Sequence, residues 1–254
     1  MSDDPPSQHI LSELGFAVKK TITGLEGVAS VIPEMQVPDS PHLRTSILAA
    51  WADHLSGLLA ITVISPLVPV TLELDVHLYT PAPGSGTVRC TATTLKAGRS
   101  VFMASTTFES GDGESIAVST GSFMAAPNPD LRLPSTFSFD GPPPEQRLSV
   151  PLAERAGCQR VEPGTAVLPR SDDGLNSSNT VNGGLIALGV EEAALSLAPG
   201  TTLSSLSLRF VRPVRSGPAV ASAQARSGLA QIEVRDSGND NRLCVLATAR
   251  YFDR

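Results

Sequence analysis

Beyond residue 70 the chain alternates. Leu72, Leu74, Val76 and Leu78 are apolar, with Glu73, Asp75, His77 and Tyr79 between them, which is the period of a half-buried strand. Thr87–Leu95 and Ser100–Glu109 read as two further strands joined through Lys96-Ala-Gly98-Arg99. Asp112-Gly113 predicts a hairpin turn, and Ser115–Met124 completes a meander. Upstream the period changes. Residues 44–62 carry Asp53 and His54 but are apolar round most of a helical circumference, so they predict a long, largely buried helix. Val28–Ile32 reads as a strand ended by Pro33, His9–Phe16 as a short helix, and residues 1–8 as a frayed end.

The second half repeats this order. Val31-Ile32-Pro33 matches Val167-Leu168-Pro169 at an offset of 136, Asp53 matches Glu191 at 138, and Leu78–Pro81 matches Phe210–Pro213 at 132. Gly98 matches Gly228 at 130, and Ser122-Phe123 matches Arg250-Tyr251 at 128. An offset that drifts in small steps is that of two copies differing only in loop length. The expected unit is strand, long helix, four antiparallel strands. Residues 126–150, with Pro142-Pro143-Pro144, read as a semi-rigid linker, giving domains over 1–125 and 151–254. A sheet wrapped round one helix leaves an edge strand and a helix flank uncovered, and two copies joined edge to edge cover both.

The stretch Asn176–Gly184 then stands out. A polar loop leads into Gly183-Gly184 and an apolar helix carrying Glu191 and Glu192. Paired glycines at a helix start let a ligand approach unpaired N–H groups at the positive end of the helix dipole. A carboxylate inside an apolar helix requires partners. Asn176 alternatively shapes a turn, and Glu192 reads as a solvated neighbour.

Composition narrows the reading. A formal net charge of −6 disfavours a nucleic-acid binder. Cys90, Cys158 and Cys244 are odd in number and widely spaced, so neither a disulfide framework nor a metal site is expected. Met-Ser-Asp-Asp-Pro-Pro is unlike a signal peptide. The run from Leu55 to Val70 is broken by serine and proline, so no membrane span is expected and the expected location is cytoplasmic. His42, His54 and His77 have no metal spacing. No Gly-x-Ser-x-Gly elbow or phosphate loop occurs.

Asn176-x-x-Asn179-x-x-Asn182-Gly183-Gly184 followed by Glu191 resembles the hotdog-fold acyl-CoA thioesterases of the PaaI type, whose motif is Asn-x-x-Gly-x-x-His-Gly-Gly with an acid further along the central helix. Lys96-Ala-Gly98-Arg99-Ser100 resembles the Gly-Arg-Ser hairpin of hotdog thioesterases. The tandem order is similar to that of double-hotdog enzymes. Asn179 and Asn182 depart from the motif. In the first copy Arg44-Thr45-Ser46 replaces His-Gly-Gly and Pro38 replaces the first Asn, while in the second copy Gly228-Leu229-Ala230 replaces Gly-Arg-Ser.

The resemblance implies an α+β double hotdog: two antiparallel sheets, each round a long central helix, joined as an internal pseudo-dimer. It implies a composite site of Asn176, Gly183 and Gly184 from the second copy with Asp53 from the first, and a weaker or dead mirror site pairing Glu191 with Thr45 and Ser46. The implied reaction is hydrolysis of an acyl-CoA, with Asp53 as base or nucleophile, Gly183 N–H as oxyanion donor, and the acyl chain between the helices. CoA is then substrate, and no separate cofactor is expected. Arg99, Arg209, Arg212 and Arg215 are candidates for its phosphates, although arginines on a strand also serve solubility. Homo-oligomers of the double unit are compatible with this reading. The rival is a non-catalytic acyl-CoA or acyl-carrier binding protein with a decayed site. A hotdog hydratase is weaker, for want of its His-plus-acid motif.

Overall fold

Helix α1 (Thr45–Ile64) is the core of the first half. By length and composition it could cross a membrane, but here its apolar surface is used by a sheet. Trp51, Leu55 and Ile47 are essentially sealed. In a computed structural model, which describes residues 9–133 and 146–253, five strands curve round it: β2 (Leu25–Val31), β3 (Pro69–Leu78), β4 (Gly86–Ala97), β5 (Phe102–Ser110) and β6 (Ser115–Ala125). The inward face of β2 is strictly alternate, Leu25, Gly27, Ala29 and Val31 being buried and their neighbours exposed. A short strand β1 (Ala17–Lys20) pairs along its edge.

The second half repeats the plan on a shorter helix. A one-turn helix α2 (Leu152–Arg155) and strands β7 (Gln159–Glu162) and β8 (Thr165–Leu168) precede helix α3 (Gly183–Ser196). Four strands follow: β9 (Leu203–Phe210), β10 (Ala219–Arg226), β11 (Leu229–Asp236) and β12 (Arg242–Tyr251). The expected two sheets are continuous. They form one 12-stranded antiparallel sheet in the order β1-β2-β4-β5-β6-β3-β9-β12-β11-β10-β8-β7. The seam is β3 against β9, with Leu74 opposite Leu208 and Val76 opposite Leu206. On the outer face Arg209 pairs with Glu73 and Asp75 at 3.2 and 2.7 Å. Backbone pairing across the seam removes the two edges that separate sheets would expose.

The helices meet on the concave side. A Cβ on Gly184 would lie 2.7 Å from the Cβ of Ala50, so the α1–α3 contact depends on the missing side chain. Residues 126–133, expected in the linker, run back beside residues 66–68, Ala126 N donating to Val68 O and Leu133 N to Pro66 O. The expected frayed end at 1–8 and Pro142–Pro144 lie outside the described residues. The short helix expected over His9–Phe16 is a 3-10 helix (Ile10–Leu14). It packs across the start of α3, with Leu11 beside Gly184.

Candidate active site

The start of α3 is built from its own loop. Asn182 caps it, its Oδ1 accepting from Gly184 N at 2.8 Å. Among the described residues no acceptor meets the Gly183 N–H, which the cap leaves at the positive end of the helix. A Cβ on Gly183 would sit 3.5 Å from Asp53 Oδ2 and 3.4 Å from the ring of Phe210. The acid of the first half therefore faces the glycine tip of the second across a gap about one small atom wide.

Asp53 is set by α1 and by one hydrogen bond, from Thr71 Oγ1 to its Oδ1 at 2.7 Å. Thr71 faces inward because β3 carries a bulge between Thr71 and Glu73, where Leu72 is the extra residue. Bulges re-aim side chains in this way. Burial pushes the Asp53 carboxyl up to about 6, and the Thr71 hydroxyl only partly opposes it. Among the described residues no cation pairs with Asp53 to hold its charge. A carboxyl so tuned is a usable general base near neutral pH.

Two cavities meet at this point. One of about 640 Å³ runs from Asp53 and Gly183 past Leu58 and Phe210 to Arg212 and Arg215. The other, of about 380 Å³, lies between α1 and the N-terminal segment and includes Leu11, Phe16 and Trp51. Asp53, His54 and Asn182 line both. His54 is deep in the fold, yet its side chain is open to cavity space. Burial lowers its basicity, as does the nearby His9.

The pseudo-equivalent point, at the start of α1, is closed. Asp53 and Gly183 correspond to Glu191 and Thr45 at one offset, since 191 − 53 and 183 − 45 are both 138. Glu191 Oε1 accepts from Thr45 N at 2.8 Å and Ser46 N at 3.3 Å, and its Oε2 accepts from Ser46 Oγ at 2.6 Å. Arg44, with no exposed surface, bonds both Glu191 and Glu192. Arg160 reaches Glu192 from outside at 2.6 Å. Glu192, expected to be solvated, is thus buried and doubly paired. Burial opposes charge on Arg44, but the two carboxylates outweigh it and raise its pKa. Burial also pushes Glu191 up, against Arg44 and the Ser46 donors. The Thr45 and Ser46 N–H groups and the Arg44 guanidinium, which can only donate, favour its charged form against that burial. Beside this cluster burial pushes the Cys158 thiol up to about 12. Glu191 lines neither cavity.

The other sequence candidates divide. Asn176 lines the larger cavity, but its Oδ1 is occupied by Ser178 N, Thr180 N and Thr180 Oγ1, so it shapes its own turn. Arg212 and Arg215 lie at the rim of that cavity. Arg209 is held by the acids of β3, and Arg99 is exposed at the β4–β5 turn; neither lines either of these two cavities. Sequence reasoning missed Thr71, Phe16 and the open imidazole of His54. Only His54, next to Asp53, left a signal in the sequence.

Residues 45–117 match the family described as the thioesterase superfamily. No curated protein sequence matches the chain. Among solved structures, the tesB protein of Mycobacterium avium subs paratuberculosis is similar with a TM-score of 0.64 at 15% identity, over 96% of this chain and 97% of that one. The 12:0-ACP thioesterase of Umbellularia californica gives 0.63 at 13%, over 90% and 97%. A protein of unknown function with a hot dog fold from Alicyclobacillus acidocaldarius gives 0.61 at 17%, over 98% and 99%. At these identities the likeness is one of architecture, and it agrees with a long helix wrapped by an antiparallel sheet: the chain has the hotdog fold.

Proposed function

We propose that the chain is a thioester hydrolase of the double-hotdog, PaaI-like kind, acting on an acyl-CoA at one composite site per chain. The observation that carries this reading is the meeting of Asp53 with the uncapped Gly183 N–H where two cavities join. A water between them loses a proton to Asp53 as its oxygen bonds the thioester carbon. The carbonyl oxygen becomes an oxyanion facing Gly183 N–H, a donor of the kind worth about 3 kcal/mol in the transition state. Collapse breaks the C–S bond, and the proton held by Asp53 returns to the thiolate, so the products are the acid and free CoA. Direct attack by Asp53 through an anhydride is the variant of the same geometry. Asn182 and Gly184 hold the tip, and Asn176 shapes the loop before it. Arg212 and Arg215 receive the CoA phosphates, which favours CoA over a carrier protein. Glu191 is structural in this reading. The domain limits of the tandem, 1–125 and 151–254, a cytoplasmic location and assembly of double units into oligomers are parts of the same proposal.

The test is thiol release from a panel of acyl-CoA substrates by the wild type and Asp53→Asn. Turnover that falls at least about 100-fold in the variant supports the assignment. Measurable acyl-CoA binding without turnover on any member would favour the binding-protein reading instead.

A further inference from the structure

The two cavities that meet at Asp53 differ in the charge of their walls. The larger carries Arg212 and Arg215. The smaller has no lysine or arginine among its lining residues. Its titratable groups besides Asp53 are His9 and His54, both made less basic by burial. A nucleotide with three phosphate groups finds cations in the lining of the larger cavity only. A substrate whose reacting carbon sits at Gly183 must then send its other end to the opposite side.

The smaller chamber has a built roof. Its floor is α1, at Ala50, Trp51 and His54, and its roof is the segment from His9 to Phe16. Arg155 of the second half clamps this roof, bonding Glu13 at 2.6 Å and Asp173 at 2.8 Å. The end wall is aromatic. Phe16 stacks on Trp51 with ring centroids 5.2 Å apart and an interplanar angle of 9°, and meets His54 edge-on at 6.1 Å. The ring is pinned from behind by β2, since a Cβ on Gly27 would collide with it at 2.1 Å. A volume of about 380 Å³ lies near the lower end of small-ligand pockets, which run from about 300 to 1,000 Å³.

We propose that the acyl group lodges in this chamber beneath the N-terminal segment, that Phe16 sets its size limit, and that the chamber takes an uncharged apolar or aromatic acyl group of modest size. The assignment rests on the thioesterase reading for the identity of the ligand, but its location can be tested without turnover. The probes are S-alkyl-CoA thioethers of graded chain length, which cannot be hydrolysed, titrated by calorimetry into the full chain. The wild type binds them more tightly up to a limiting length and then about 10-fold or more weakly beyond it. Phe16→Ala moves that limit to longer chains, and Phe16→Trp moves it to shorter ones. Phe16→Leu serves if the alanine variant does not fold. A thioether ending in a carboxylate binds at least 10-fold more weakly than its methyl-ended counterpart. A length limit that moves with Leu58→Ala in the larger cavity and not with Phe16 variants overturns the location. Equal binding of the carboxylate probe overturns the charge rule. Absence of hydrolysis on matching thioesters would refute the hydrolase alone, leaving the binding profile to decide the chamber.

Discussion

If Asp53 is the base of the proposed hydrolysis, its protonation should govern the pH dependence of that reaction. Its carboxyl titrates at about 6 rather than 3.8, chiefly because it is buried. A base must be ionised, so kcat/KM should rise with pH along a single limb of unit slope. With a midpoint at 6 about 9% of the enzyme is active at pH 5 and about 91% at pH 7, whereas an unshifted carboxyl would be about 94% ionised by pH 5. Thr71 gives the control. Its hydroxyl donates to the carboxylate and lowers the pKa, so Thr71→Val should move the limb to higher pH, by about one unit for a charged hydrogen bond of roughly 1.5 kcal/mol. The same shift bears on stability with the opposite sense from a paired aspartate. The folded state holds this proton more tightly than the unfolded chain, so its contribution is full below 3.8 and is lost as pH rises through about 6. Moving the carboxyl from 3.8 to about 6 is worth at most about 3 kcal/mol, and cavity water reduces this to about 1 kcal/mol. Asp53→Asn should therefore be inactive and more stable than the wild type at pH 8, with no such gain at pH 4. The assay is initial-rate thiol release at substrate well below KM between pH 4.5 and 9, with thermal melts in the same buffers. A wild-type rate already level at pH 5, or a Thr71→Val limb moved to lower pH, refutes the argument.

The two glycines of the tip should separate chemistry from folding. Gly183→Ala puts a methyl at ordinary contact distance from Asp53 and Phe210, so its melting temperature should match the wild type while kcat/KM falls about 100-fold because the water's place is filled. Gly184→Ala drives a Cβ to 2.7 Å from the Ala50 Cβ and 3.2 Å from its Cα; such overpacking costs about 1–3 kcal/mol, read as a drop of roughly 2–4 °C per kcal/mol in melting. Arg44→Ala leaves Glu191 and Glu192 buried without their shared cation, and urea unfolding should show a loss of about 3–5 kcal/mol. A loss under 1 kcal/mol would mean that the cluster is hydrated.

Periodicity made the long elements legible. The helix expected over 44–62 spans Thr45–Ile64, and the strands of the meander lie where alternation puts them. The edge-to-edge join could be anticipated, but the choice of β3 and β9 as the seam could not, since both are ordinary alternating strands. Strands β1 and β7 are four residues long and mostly exposed, too short for a period to register. Thr71 was hidden for a definite reason. Counting by twos from Leu74 and Val76 points residue 71 at solvent, and only the bulge at Leu72 reverses the phase. Arg44 was hidden by a different rule. Arginine is almost never fully buried unless paired, and its partners lie 147 and 148 residues away, so the sequence displayed only the absence of His-Gly-Gly. Asn182-Gly183-Gly184 and Asp53 were readable because a helix start and an apolar helix face are local patterns.

The two helix tips make one further comparison possible, since nearly the same parts are arranged twice with opposite results. At the α1 tip the acid is a glutamate, and its carboxylate reaches the bare N–H groups of Thr45 and Ser46. At the α3 tip the acid is an aspartate, shorter by one methylene, or about 1.5 Å, and Thr71 holds it back. In the proposed reaction the Gly183 N–H is open to a reacting oxygen only because the facing carboxylate does not take it. Asp53→Glu should then disable the enzyme although it preserves the charge, the longer acid occupying the oxyanion donor itself. A carboxylate drawn to a helix N-terminus also stabilises the fold, by about 0.3–2 kcal/mol, so loss of rate should come with a raised melting temperature. Rates within a few-fold of wild type would show that side-chain length does not keep the donor free, and the contrast between the open and sealed tips would then have to come from Arg44 instead.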